Sequence, residues 1–90
     1  MQMGWITVGV LNYEIDIHGM TVPEAKKLLE KTIMSLPNQY GQVTVIHGYQ
    51  NGSRLQSMVR GKGFACKRVK QKILTLNQGE TILILRDRLD

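Results

Sequence analysis

Cysteine is almost absent from this 90-residue chain, which has Cys66 alone. A single thiol excludes an internal disulfide framework and agrees with a reducing compartment. No segment approaches the run of about eighteen apolar residues that a membrane span needs. The apolar start at 1–11 has neither a basic region nor a small-residue cleavage site, so it does not read as a signal peptide. These absences predict a cytoplasmic protein, and the length leaves room for one domain only.

Carboxylates are missing from the whole segment between Ser53 and Gly79. Up to Gly52 the chain has three basic and four acidic residues, and after it nine basic and three acidic, for a formal net charge of +5. Charge of one sign in one block indicates a polyanionic partner, most simply nucleic acid. A solvated basic face without a partner is the alternative interpretation.

The pattern of apolar residues predicts six elements in the order β-α-β-α-β-β. Strict alternation at 13–18 indicates a half-buried strand, and β-branched residues indicate another at 42–47. Between them, Thr21 and Glu24 have the spacing of a capping box, and the helix runs to about Leu36 before Pro37. A short helix at 54–60, a strand at 69–76 and a strand at 81–85 follow. The last run is apolar throughout, which is typical of a strand covered on both faces.

This order predicts an α/β fold of two layers, a βαβαββ sandwich with a mixed four-stranded sheet and two helices. Two strand–helix–strand steps imply parallel pairing with right-handed crossovers, and the four-residue turn before 81–85 implies an antiparallel pair. The domain is expected at 13–90. Residues 1–12 either add an edge strand or form an extension.

The first two strands end in the same triplet, Ile17-His18-Gly19 and Ile46-His47-Gly48. Parallel strands have their carboxyl ends at one edge of the sheet, which is where open α/β sheets bind ligands. We therefore expect the two imidazoles to meet there, with Asp16 on the same strand face as His18.

Phosphodiester cleavage is the chemistry that such a group fits. Paired imidazoles can serve as base and acid near neutral pH, and a carboxylate can orient one of them. Alternatively, Asp16 and a histidine could ligate a divalent ion such as Mg²⁺ or Mn²⁺ that activates water. The cofactor is therefore left unknown, and a purely structural role for each histidine is the simpler alternative.

Candidate nucleic-acid contacts surround this edge and continue along the basic segment. Gly48, Gly52 and Arg54 belong to a glycine-containing loop that enters a helix and suits a phosphate. Tyr49 could stack on a base. The remaining candidates are cations that would contact phosphates without reading sequence, namely Arg60, Lys62, Lys67 and Arg68, with Lys70 and Lys72 beyond them.

Several ordered blocks resemble the Smr (small MutS-related) domain family. They are IDIHGMTVPEA at 15–25, VIHG at 45–48, LQSMVR at 55–60 and GETILIL at 79–85. The match spans about residues 13–85. Gln50 stands where the family's H-G-x-G-x-G loop has its middle glycine, and Gln56 replaces the arginine of its L-R-x-x-V block.

The resemblance implies a stand-alone, single-domain Smr unit, similar in fold to the C-terminal domain of translation initiation factor three. It also implies nucleic-acid binding, with DNA nicking or RNA endonuclease activity in some members. Asp16 and His18 would be the polar pair of the first motif, and His47 and Gly48 would begin the second.

The first hypothesis is a nucleic-acid-binding domain with endonuclease activity, by hydrolysis or transesterification of RNA or DNA. The second is a non-catalytic module that binds structured RNA or the ribosome, which the altered glycine loop favours. A third is a protein-interaction domain whose surface is merely basic. The sequence does not fix the oligomeric state.

Overall fold

A computed structural model describes residues 11–49 and 53–87 of the chain. Its elements are β1 (Leu11–Asp16), α1 (Val22–Ser35), β2 (Tyr40–Ile46), α2 (Arg54–Arg60), β3 (Val69–Leu74) and β4 (Glu80–Leu85). The predicted order of elements is confirmed. None of the helices in the described ranges is long and apolar enough to cross a membrane.

The four strands form one mixed sheet in the order β1-β2-β4-β3. β1 and β2 are parallel, whereas β4 runs antiparallel to both β2 and β3. β3 therefore points in the same direction as β2 but is separated from it by β4, so the parallel pairing predicted for these two strands is wrong. The predicted mixed sheet is confirmed, with the last strand inserted in the middle.

Local chemistry sets both ends of α1. Thr21 Oγ1 accepts a hydrogen bond from the Glu24 N–H at 3.3 Å, and the Glu24 carboxylate accepts one from the Thr21 N–H at 3.1 Å. This capping box satisfies two N–H groups that would otherwise lack partners. At the other end Leu36 is extended, as expected of the residue before Pro37.

The core lies between the helices and one face of the sheet. The helices contribute Ala25, Leu29, Ile33, Met58 and Val59, and the strands contribute Ile15, Val43, Val45, Leu83 and Leu85. In β4 the buried residues alternate with half-buried ones, among them Ile82 and Ile84. The prediction that β4 is covered on both faces is therefore wrong, because among the described residues the helices cover one face of the sheet only.

The strand boundaries differ from the predicted ones by about two residues. β1 begins at Leu11 and ends at Asp16, so Leu11 and Asn12 belong to the sheet, where they pair with β2. β3 ends at Leu74. The remaining part of the predicted edge strand or extension, residues 1–10, lies outside the described residues.

Candidate functional site

A pocket of about 660 Å³ lies where the carboxyl ends of β1 and β2 meet. It is lined by residues 18–20, 46–49, 54–55, 77 and 79. These residues lie just after β1, at and after the end of β2, at the start of α2 and just before β4. We call it the strand-end pocket, and it contains both predicted histidines.

Asp16 and His18 form an exposed pair beside this pocket. The Nδ1 atom of His18 lies 2.5 Å from Asp16 Oδ1, and the backbone N–H of His18 donates to the same oxygen at 3.0 Å. The hydrogen bond from the imidazole, followed by that from the backbone, lowers the pKa of Asp16 below its ordinary 3.8. A carboxylate accepts only, so Nδ1 is the donor and Nε2 is left for other chemistry. The His18 side chain is 71% exposed.

His47 lines the same pocket, but its imidazole is buried and fully hydrogen-bonded. The residue is 3% exposed. Its Nδ1 lies 2.8 Å from the carbonyl oxygen of Gly48, and its Nε2 lies 2.9 Å from Thr81 Oγ1. Burial lowers the pKa of His47, so the ring is neutral at neutral pH.

These contacts fix the tautomer of His47. The Gly48 carbonyl only accepts, so Nδ1 carries the proton, and Nε2 of the neutral ring must accept. The Thr81 hydroxyl donates to Nε2, and in turn accepts from Nε of Arg60 at 2.8 Å. Hydrogen bonds thus connect Arg60 to Thr81, Thr81 to His47, and His47 to the carbonyl of Gly48. Neither ring nitrogen of His47 is therefore free for a substrate.

The strand register explains why the two matching triplets behave differently. Asp16 pairs with Ile46, and Ile15 with Val45, so position 18 lies opposite 48 rather than 47. Side chains alternate between the faces of a strand. The imidazole of His47 therefore enters the helix-covered face, whereas His18 lies on the other side. A Cβ placed at Gly48 would lie 3.8 Å from the Cβ of His18.

The two glycines after the histidines allow backbone conformations that other residues rarely adopt. Gly19 has φ +83° and Gly48 has φ +67°, values that residues with a Cβ rarely adopt. A Cβ at Gly19 would meet nothing within 4 Å. Close approach of a ligand is therefore not needed to explain either glycine, because the chain turns at the strand ends.

Gly48 lines the strand-end pocket, as do two further predicted nucleic-acid contacts, Arg54 and Tyr49. Both are exposed, and Tyr49 retains 48% of its surface. The loop predicted to hold a phosphate passes through residues 50–52, so Gly52 lies outside the described residues.

Two predicted phosphate contacts instead hold the fold together. Arg60 Nη2 donates to the carbonyl oxygen of Glu80 at 2.9 Å, beside its contact with Thr81. Arg68 is 3% exposed. Its guanidinium donates to carbonyl oxygens at the end of α1, those of Ile33 at 2.7 Å and Leu36 at 2.5 Å.

Arg68 must therefore be removed from the predicted interface. Its Nε donates to the carbonyl oxygen of Arg86 at 2.9 Å, and its Nη2 contacts Asn38 Oδ1 at 3.2 Å. The guanidinium thus provides hydrogen-bond donors to carbonyl groups at the end of α1, which have no N–H partner in a following helical turn. A phosphate could reach it only if these contacts were broken.

The other predicted cations, Lys62 and Lys67, are exposed but follow α2 and precede β3. Since β3 runs in the direction of β2, its start lies at the opposite end of the sheet from the strand-end pocket. Lys72 bonds the carbonyl oxygens of Gly61 and Phe64, each at 2.7 Å. The basic segment is therefore distributed along the molecule and does not ring the pocket.

No three His, Cys, Asp or Glu side chains converge on one point in the described ranges. Asp16 and His18 can supply two ligands, and Mg²⁺ commonly takes its others from water and substrate phosphates.

Thr81 was not among the predicted site residues, although its hydroxyl joins His47 to Arg60. Its signal was a polar residue at the start of an otherwise apolar strand.

Comparison with known proteins identifies the type of domain. The Smr domain family model matches residues 15–75. The crystal structure of the Smr domain of Thermus thermophilus MutS2 has the same fold, with a TM-score of 0.69 and 23% identity, over 82% of this chain and 98% of that one. No curated protein matches the chain. Smr domains are generally associated with nucleic-acid binding and with nucleases.

Proposed function

This chain belongs to the Smr domain family, and on that premise we propose that it is a nucleic-acid-binding endonuclease acting at the strand-end pocket. The observation that carries the proposal is the Asp16–His18 pair. An exposed imidazole whose Nδ1 is bonded to a carboxylate has its Nε2 directed to other partners, which is the arrangement of a general base.

In the proposed reaction, Nε2 of His18 removes the proton from the attacking hydroxyl. On RNA this is the 2′-hydroxyl, whose oxygen bonds to phosphorus while the bond to the 5′-oxygen breaks. On DNA the attacking group is a water molecule, whose oxygen bonds to phosphorus while the bond from phosphorus to one deoxyribose oxygen breaks. Asp16 holds the ring and stabilises its protonated form, and Arg54 offsets charge on the phosphate. The leaving oxygen takes its proton from water.

His47 has a positioning role in this proposal, not that of a second acid. Its ring nitrogens bond Gly48 and Thr81, so it holds the turn that follows β2. The two-imidazole scheme expected from the sequence is thereby reduced to a single free imidazole. If a divalent ion were bound, Asp16 would hold it, since Nε2 of His18 serves as the base, and the ion would supply additional stabilisation of phosphate charge.

Cleavage of a labelled structured RNA and of a supercoiled plasmid tests the proposal, with and without EDTA. His18→Ala should lower the cleavage rate by about 10²- to 10⁴-fold, as loss of a general base does. Asp16→Asn should also slow cleavage, whereas Glu14→Gln should not. Glu14 is a matched control because it is an exposed carboxylate on the same face of β1. Equal rates for wild type and His18→Ala would refute the catalytic proposal.

A non-catalytic module for structured RNA or the ribosome is the second candidate. The commitment of His47 to internal hydrogen bonds favours it, because one free imidazole provides less acid–base chemistry than two. Binding that weakens steeply with salt, without cleavage in Mg²⁺ or Mn²⁺, would identify this function. The cytoplasm remains the proposed location in either case.

A further inference from the structure

The strand-end pocket contains an apolar group that phosphate binding does not require. Met20 follows β1 and Leu55 lies in the first turn of α2, where each packs in part against the core, and Ile46 ends β2. All three are half-buried and line the pocket. Tyr49 adds an exposed aromatic ring to the same pocket. A phosphate is bound by cations and N–H donors, so these four side chains point to a less polar ligand group.

The polar lining complements a nucleotide. Arg54 provides a cation, and the chain around it, from Ser53 to Gly79, has no carboxylate. His18 and Asn77 contribute further polar groups to the lining. A ligand with an anionic end and a flat, largely apolar end would use both kinds of surface.

A base within a continuous duplex does not present its flat face, because that face is stacked on its neighbours. Proteins that read unpaired nucleotides instead stack the exposed base on an aromatic side chain. The pocket, at about 660 Å³, lies within the range of small-molecule sites and has room for one nucleotide.

We propose that the strand-end pocket binds one unpaired nucleotide, with its base against Tyr49 and the apolar group of Met20, Ile46 and Leu55, and its phosphate towards Arg54. The inference rests on the proposed function and specifies its substrate class. The preferred substrates are single strands, loops and bulges, in RNA or in DNA, and continuous duplexes bind more weakly.

Fluorescence anisotropy with a labelled 12-mer single strand and its duplex tests this, in RNA and DNA arms at one salt concentration. The single strand should bind more tightly than the duplex. Tyr49→Ala should weaken single-strand binding by about 5- to 100-fold, the effect of losing one stacked base. Tyr49→Phe keeps the ring and should restore most of that affinity. The thermal midpoint of each variant verifies the fold.

A series of single strands that each lack one base tests whether the loss of affinity in Tyr49→Ala comes from one stacked base. Removing the base at one position should weaken binding to the wild type but have little further effect on Tyr49→Ala. If Tyr49→Ala binds single strands as well as the wild type, or the duplex binds as tightly, the nucleotide pocket is refuted while salt-dependent binding still supports the proposed function. Absence of binding to every probe would refute both.

Discussion

Replacing Arg68 with lysine separates a structural guanidinium from a phosphate-binding cation. Lysine keeps the positive charge, so a residue that only attracts phosphate would tolerate the change. The guanidinium, however, uses three nitrogens at once, with Nη1 on the carbonyls of Ile33 and Leu36, Nε on that of Arg86 and Nη2 on Asn38. One ammonium nitrogen cannot reach all of these groups.

The cost follows from the contacts that lysine loses. If the ammonium keeps the two carbonyls of α1, it still gives up the bonds from Nε and Nη2. Hydrogen bonds to charged groups contribute about 1.5–3 kcal/mol each. We therefore expect Arg68→Lys to lower the free energy of unfolding by about 3–6 kcal/mol. For a domain of this size that is a decrease in Tm of roughly 12–48 °C.

Urea and thermal unfolding followed by circular dichroism measure the change. Arg68→Met should be at least as damaging, because it removes every contact of the guanidinium. Lys67→Met is the matched control, since it removes the same charge from the adjacent exposed position and should stay within about 0.5 kcal/mol of wild type. Wild-type stability in Arg68→Lys would refute the structural role, and Arg68 would again be a candidate phosphate contact.

Three further outcomes follow from the site. Thr81→Val leaves the buried Nε2 of His47 without its donor and should cost about 2 kcal/mol or more in urea unfolding, whereas Thr81→Ser keeps the hydroxyl and should cost about 1 kcal/mol. Because burial lowers the pKa of His47 from 6.5, the unfolded chain takes up a proton first, so the free energy of unfolding should fall as pH decreases below 6.5. His18→Ala should return the pKa of Asp16 towards 3.8 in an NMR titration.

Each outcome has a result that contradicts it. A valine variant at position 81 as stable as the serine variant would mean that the hydroxyl does not bridge His47. Stability that still falls in His47→Gln between pH 6.5 and about 5, above the range in which Asp16 and Glu24 take up protons, would assign the pH dependence to other groups. An unchanged pKa of Asp16 in His18→Ala would mean that the imidazole is not its partner in solution.

Helix α1 was predictable from sequence because its signals are local. The Thr21–Glu24 capping box and the proline after Leu36 act within one turn of the chain, and the structure has the helix between them. Strand ends depend on a partner strand, which is why the bounds of β1 and β3 were about two residues off.

Arg68 was not predictable in the same way. Lys67 and Arg68 are adjacent cations in one basic segment, and nothing in their immediate sequence separates them. What buries Arg68 is the end of α1, whose carbonyls lie more than thirty residues earlier in the chain. Composition thus indicated the charge of the segment, whereas long-range packing decided which of its cations remain available to a ligand.

The two Ile-His-Gly triplets make the same point for the site itself. Their local sequences agree, yet Asp16 pairs with Ile46, so the triplets are offset by one position in the sheet. With a side-chain period of two, an offset of one reverses the face. The alternation was visible in the sequence. Val43, Val45 and His47 are two residues apart, so they share one face of their strand. His18 directly follows Ile17 and therefore lies on the face opposite to Ile15 and Ile17. Pairing therefore buries one imidazole and leaves the other exposed, and the number of free imidazoles is determined by register rather than by the count of histidines.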